Sequence, residues 1–395
     1  MVKEAVFAVP GDLATPTGGY RYARRIIAEV TALGWRMEVL NLGEGFPWPT
    51  AGARAVAAER LALLPPDRPI VVDGLAFGVL PEAAEVLRES HALIALVHHP
   101  LALESGLSAA QSAALRASER AALACARHVV TSSATTGRLL VSDYGVAPAR
   151  LSVVEPGTDP PQTRADEPGS GRVTPARSRA SSDALGTRTM ELPRWPLASL
   201  ASAATRSHGS DSGVALLAVG AVVPRKGYDL LVAALAGLKD LPWRLVIAGD
   251  GGRSPETFAQ LEADIARLGL ADRVALRGAV SADQLASLYE SSDLFVLPSR
   301  YEGYGMAYTE AIAHGLPVVG TTAGAIPETV PADAGVLVAP DDVAALAAVL
   351  RHLIENPHER EHLAAGARAV RFPSWAEQAA LFGRVLERFA LERLA

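Results

Sequence analysis

Residues 293–320 read DLFVLPSRYEGYGMAYTEAIAHGLPVVG, and the order of signals in that stretch decides the fold. A short apolar run, Leu294–Leu297, stops at Pro298. A loop carrying Gly303 and Gly305 follows, then a segment suited to helix from Met306 to His314, then a second apolar run at Val318–Gly320. Strand, glycine loop, helix and strand in this order form a parallel βαβ unit, with both strands buried on each face.

The same alternation extends outward from this unit. Downstream of residue 213 the expected strands are Ala215–Val219, Arg244–Ala248, Val274–Arg277, Leu294–Leu297 and Val318–Gly320. Helices are expected over Tyr228–Leu238, Glu256–Leu268, Ala282–Ser291, Met306–His314 and Val343–Asn356. The front half repeats the pattern. Its strands are Ala5–Val9, Met37–Leu40, Ile70–Val72, Leu93–Val97, His128–Thr131 and Leu151–Val154, with helices that include Tyr20–Leu33, Gln111–Ala126 and Thr135–Tyr144. Such alternation argues for parallel sheets covered by helices on both faces. Between the halves, residues 160–213 are rich in Ser, Arg, Ala, Thr, Pro and Gly and lack apolar periodicity, which reads as a disordered insertion or linker. The expected division is therefore 1–159, a linker at 160–213, 214–372, and a last helix at 373–395.

The bulk properties agree with a two-domain α/β protein. The chain has 395 residues, 49% hydrophobic and 20% charged, with only 5% aromatic residues. A net charge of −6 gives no bulk attraction to nucleic acid or anionic lipid, and peripheral membrane contact has no support in the sequence. The start, MVKEAVFAVPGD, reads as a first strand rather than a signal peptide, so a cytoplasmic location is expected. The single cysteine, Cys125, excludes an internal disulfide and is expected to be a small buried residue.

Four stretches at strand ends carry residues suited to chemistry. Gly18 and Gly19 follow the first strand and open a helix, where a phosphate or sugar could approach the backbone. His98, directly after the fourth strand, can contact a hydroxyl or handle a proton. No third histidine or carboxylate stands at ligand spacing from His98 and His99, so no metal is expected. Arg225 and Lys226 precede the helix that begins near Gly227, a good arrangement for clamping a diphosphate. In the opening stretch, Glu302 can accept hydrogen bonds from sugar hydroxyls, and Glu310, on the following helix, can grip a diol such as a ribose.

At this point the sequence resembles family 4 of the retaining glycosyltransferases, which have the GT-B fold of two Rossmann-like domains whose parallel sheets face each other across a cleft. The resemblance is strongest from Ala215 to Pro340 and rests on EGYGMAYTE and EAIAHGLPVV. It implies a donor site built from Gly18, Gly19, Arg225, Lys226, Glu302, Gly303, Tyr304, Gly305, Met306, Ala307 and Glu310, with His98, Glu302 and Lys226 as the catalytic set. It implies a nucleotide-sugar donor, UDP- or GDP-linked, an acceptor hydroxyl of unassigned identity, retention at the anomeric carbon, and no cofactor or metal. The leaving diphosphate would act as the base for the acceptor. Family members commonly have Gly-Arg where this chain has Gly220-Ala221, and Arg225 is expected to replace that arginine. Two other readings are a catalytically silent GT-B binding protein and a nucleotide-sugar epimerase of the same fold. A phosphorylase would need a lysine for pyridoxal phosphate, and after residue 200 only Lys226 and Lys239 are present.

Overall fold

The computed structural model describes residues 3–160 and 213–391. The linker expected at 160–213 lies, apart from its two end residues, outside the described residues. The front half runs β1 (Lys3–Val9), α1 (Gly18–Ala32), β2 (Trp35–Asn41), α2 (Ala51–Ala62), β3 (Pro69–Asp73) and α3 (Gly74–Phe77). It continues with α4 (Pro81–Leu87), β4 (Ala92–Val97), α5 (Ala109–Cys125), β5 (His128–Thr131), α6 (Ala134–Tyr144) and β6 (Leu151–Val153). The second half runs β7 (Val214–Val219), α7 (Tyr228–Ala236), β8 (Trp243–Ala248), α8 (Pro255–Arg267), β9 (Val274–Leu276), α9 (Ala282–Glu290) and β10 (Leu294–Val296). After these come α10 (Met306–Ala313), β11 (Val318–Thr321), α11 (Ile326–Thr329), β12 (Gly335–Val338), α12 (Val343–Glu355), α13 (Pro357–Ala369) and α14 (Trp375–Leu391).

Each half forms a six-stranded sheet whose pairings are parallel, ordered β2-β1-β3-β4-β5-β6 and β12-β11-β10-β7-β8-β9. The strand order turns back beside β1 in the first sheet and between β7 and β10 in the second. In open α/β sheets the crevice at such a reversal, outside the carboxyl ends of the strands, receives the ligand. The loops that leave β1, β3 and β4, and those that leave β7 and β10, therefore build the cleft.

The central strands read as apolar runs because both faces are covered. All five residues of β3 and all six of β4 are buried. On one face of the first sheet Val6, Ile70, Val72 and Leu93 pack with α2–α5 residues such as Leu61, Phe77 and Leu123. The other face, with Phe7, Val71 and Ile94, packs against Tyr22 and Ile26 of α1 and against Trp375, Phe382 and Leu386 of α14. The Phe7 and Phe382 rings stack at 6.4 Å. The chain's last described helix thus returns to cover the first domain, burying aromatic side chains that each contribute roughly 2–3 kcal/mol.

The sequence expectations differ from the structure in instructive places. Strand β12 escapes the alternation pattern because it is four residues long and half-buried at a sheet edge. Helix α2 is Ala-rich with only Ala57 and Leu61 buried, so its sequence shows little amphipathic contrast. Helix α13 is dominated by charged and small residues around buried Leu363, Ala364 and Ala367. Cys125 is not a buried core residue; it is partly exposed and its thiol donates to Glu85 Oε2 at 3.0 Å. It ends α5 and packs from the margin against the first domain's core, beside buried Ala122, Leu123 and Ala126.

Candidate active site

The loop after β7 and the loop after β10 bring three side chains into one cluster. Glu302 lies in the β10–α10 loop and is only 6% exposed. Its Oε1 accepts from Lys226 Nζ at 2.6 Å and from Ser299 Oγ at 2.7 Å, and its Oε2 accepts from Arg225 Nη1 at 3.0 Å. Arg225 also donates to the Tyr301 carbonyl at 2.8 Å and to Glu104 Oε1 at 3.2 Å. Glu104 belongs to the first domain, so this guanidinium joins the two halves. Burial by itself would raise the Glu302 carboxyl; Lys226 and then Arg225 outweigh it and hold it at about 2. Lys226 is lowered by burial, against the attraction of Glu302. The carboxylate is therefore fully ionised at neutral pH.

The second acidic position stands on α10. Glu310 accepts from Tyr289 OH at 3.2 Å and from Arg21, which reaches it from the first turn of α1 in the first domain. Burial raises the Glu310 carboxyl, against Arg21 and the tyrosine. Helix α10 begins after Gly305, whose backbone is left-handed, and no side chain caps its N-terminus. Tyr308 N bonds the Gly305 carbonyl within this first turn.

On the first-domain side, His98 follows β4 and is lined up with Gly19. A Cβ placed on Gly19 would lie 3.1 Å from His98 Cδ2, so the ring and the start of α1 are in close contact. Thr17 caps α1 by accepting from Tyr20 N at 3.1 Å. The ring also meets Tyr22 edge-on at 5.2 Å. His98 Nε2 is buried without a hydrogen-bond partner, 3.9 Å from Asp73 Oδ2. Burial, and then neighbouring His99, push the His98 imidazole down to about 4, so it is neutral at pH 7. Burial lifts Asp73 to about 6, against the hydrogen bond from the Leu75 amide.

The two domains touch through Gly303. A Cβ there would sit 2.0 Å from the His98 carbonyl oxygen, so only glycine fits between the loops in this arrangement. Thr136 Oγ1 donates to the Gly303 carbonyl at 3.4 Å, and Glu328 of α11 accepts from Thr135 Oγ1 and Arg138 Nη2 of the first domain, each at 2.7 Å. The structure thus groups Glu302 with Arg225 and Lys226, Gly19 with His98, and Gly303 with the His98 backbone. Gly18 is the first residue of α1. Tyr304 is buried, Met306 packs against the first domain's core and Ala307 against the second's. Reading by sequence missed Arg21, Asp73 and Glu104. Asp73 had a usable signal, since it ends a strand next to the one that delivers His98; Arg21 and Glu104 had none, because their partners are more than 100 residues away.

A family model described as "Glycosyl transferases group 1" matches residues 205–370. The MMP alpha-(1->4)-mannosyltransferase of Mycolicibacterium hassiacum is 30% identical over 374 residues, which cover 89% of this chain and 77% of that protein. The chain belongs to the glycosyl transferases group 1. It is a glycosyltransferase. D-inositol 3-phosphate glycosyltransferase 1 of Catenulispora acidiphila is 34% identical over 259 residues, and the match spans 64% of this chain and 54% of that protein. Among solved structures, sucrose-phosphate synthase from Thermosynechococcus elongatus superposes with a TM-score of 0.73 at 20% identity, covering 99% of this chain and 100% of that one. The Anabaena protein HepE, solved with UDP-glucose, gives 0.69 at 17% identity, covering 97% and 99%. At these identities the likeness shows the GT-B fold of the glycosyltransferase. Among the described residues, no helix is long and apolar enough to cross a membrane.

Proposed function

We propose that this glycosyltransferase transfers a hexose from a UDP- or GDP-linked donor to an acceptor hydroxyl with retention at the anomeric carbon. The observation that carries the reading is the buried Glu302 carboxylate held by Lys226 and Arg225 at the strand reversal between β7 and β10. A carboxylate fixed this firmly is pre-organised to accept hydrogen bonds from sugar hydroxyls, and the two cations beside it can meet charge that grows on a departing diphosphate. In this reading Glu310 receives the ribose diol, and the N-terminus of α10, which no side chain caps, favours a phosphate between the two acids. His98, neutral and with one ring nitrogen unpartnered, faces the sugar from the other domain.

Retention follows in this reading from attack on the face the diphosphate leaves, with the diphosphate taking the acceptor's proton. The protein's part is positioning and electrostatic stabilisation. The acceptor is bound by loops of the first domain.

The test has two stages. A thermal-shift screen of nucleoside diphosphates and their sugars identifies the donor, since a ligand at 100 times its Kd stabilises the fold by about 2.7 kcal/mol. Proton NMR of the first-formed product then reads the anomeric configuration. An inverted product would overturn the mechanism, and no response to any nucleotide would overturn the donor site.

A further inference from the structure

We infer that Arg21, supplied by the first domain, is a ligand for the donor's diphosphate and moves to it from Glu310 when the donor binds. This rests on the donor-site reading given above and adds a residue to it.

Around Glu302 the cleft holds two carboxylates, Glu302 and Glu104, and two cations, Arg225 and Lys226, joined by ion pairs of 2.6 to 3.2 Å. That cluster is neutral as a whole. Nearby Arg300 is committed to Asp229 and Asp341, each at 2.7 Å, and Arg138 to Glu328 at 2.7 Å. A nucleoside diphosphate brings at least two negative charges into this cleft. If the Glu302 cluster keeps its pairs, further cationic charge has to come from elsewhere.

Arg21 is placed to supply it. Its guanidinium bonds Glu310, one turn into α10, and a turn of helix rises about 5.4 Å. It therefore lies within a side chain's reach of the uncapped α10 N-terminus. The start of α1 touches His98 through Gly19, and His98 in turn touches Gly303, two residues before the α10 cap, so the two helix starts are neighbours. The Arg21 side chain is 39% exposed, against 13% for Glu310, which leaves the arginine free to swing while the acid stays fixed. Ribose hydroxyls that donate to Glu310 replace the hydrogen bond it loses. The released guanidinium then forms charge-assisted, fork-like bonds to phosphate oxygens. Because Arg21 rides on the first domain, the same exchange ties domain closure to the presence of a diphosphate.

Arg253, in the loop after β8, is the competing cation: it is exposed, and close enough to Tyr20 of α1 to be felt by that hydroxyl. Arg21 is preferred because it already bonds an acid of the donor site.

The experiment is titration calorimetry of the full chain with UDP, GDP, uridine and guanosine, on wild type and on Arg21→Ala, Arg21→Lys and Arg253→Ala. Expected is a rise of about tenfold or more in Kd for the binding diphosphate in Arg21→Ala, little change for its nucleoside, and partial recovery in Arg21→Lys. Diphosphate affinity that is unchanged or tighter in Arg21→Ala, or a loss confined to Arg253→Ala, would overturn the role of Arg21 and leave the donor site standing. Wild-type protein that binds none of the four ligands would overturn the donor-site reading itself. Circular dichroism on each variant separates lost binding from lost folding, and the lysine variant keeps the test open if the alanine variant fails to fold.

Discussion

Replacing Glu302 with glutamine tests the central ion cluster through stability, without needing the substrate. The wild-type carboxyl sits at about 2 in the fold, against its ordinary 4.5. A depressed acid contributes stability that is present above the unfolded value and is lost as pH falls toward the folded one. With 1.36 kcal/mol per unit, that shift is worth about 3 kcal/mol at pH 7 and roughly 1 kcal/mol at pH 3. Little discount for solvent is needed, since the Glu302 side chain is only 8% exposed. The Glu302→Gln amide would keep a partner for Ser299 but leave Lys226 buried beside a neutral group, the case in which breaking a pair is most costly. Arg225, Lys226 and Glu302 all belong to the second domain, so the loss should fall there. The assay is urea unfolding at pH 7 and pH 3, with hydrogen exchange on β7 and β10 amides reading that domain by itself. Adding Lys226→Met should recover part of the loss, a coupling of about 2 kcal/mol. A penalty below about 0.5 kcal/mol at pH 7, or one that does not shrink at pH 3, would refute the claim that these cations hold the carboxylate.

Three further outcomes follow from the same geometry. Asp73→Asn keeps the cap on Leu75 N and removes a buried charge whose carboxyl stands at about 6 against 3.8, so the variant should gain up to about 3 kcal/mol at pH 7. Because a raised acid favours the protonated fold, that advantage closes as pH falls toward 4, while sugar transfer drops at pH 7 as His98 loses its carboxylate; thermal melts and a transfer assay across pH check both. Arg225→Ala should weaken binding of the nucleotide sugar by tenfold or more and loosen the domains, since it removes bonds to Glu302 and Glu104 together; calorimetry decides it, and wild-type affinity would count against the clamp. Gly303→Ala places a methyl where the His98 carbonyl lies and should hold the cleft open, lowering transfer and, because Arg21 is held back with the first domain, weakening nucleoside diphosphate binding about as much as Arg21→Ala does, as small-angle scattering and calorimetry would show.

Much of this site is local in sequence and for that reason was legible there. Glu302, Gly303, Gly305 and Glu310 sit within nine residues, and the strand end and helix start around them follow from short-range rules. Arg225 and Lys226 stand out in the same way, as cations at the exit of β7. What they bind was not legible. The expectation gave Arg225 and Lys226 to a diphosphate and Glu302 to a sugar; the folded chain joins all three, because two loops about 75 residues apart leave adjacent strands at the sheet's reversal. Glu104 had no signal, lying in a short loop between a 3-10 turn and α5. Asp73 could have been found by asking which residue ends the strand beside the one that carries His98.

The class of fold and the chemistry on offer are local properties of the chain and could be read from it directly. Apolar runs of strand length that alternate with helices call for covered parallel sheets, and glycines with acids at a strand end are set by a few neighbouring residues. Which charges meet is a matter of the folded molecule. Arg21 and Glu310 are 289 residues apart, and Arg225 and Glu104 are 121 apart. Such pairs depend on how two sheets face one another, and with their carboxyl ends opposed, residues from both domains share one low-dielectric cleft where a single unpaired charge is costly.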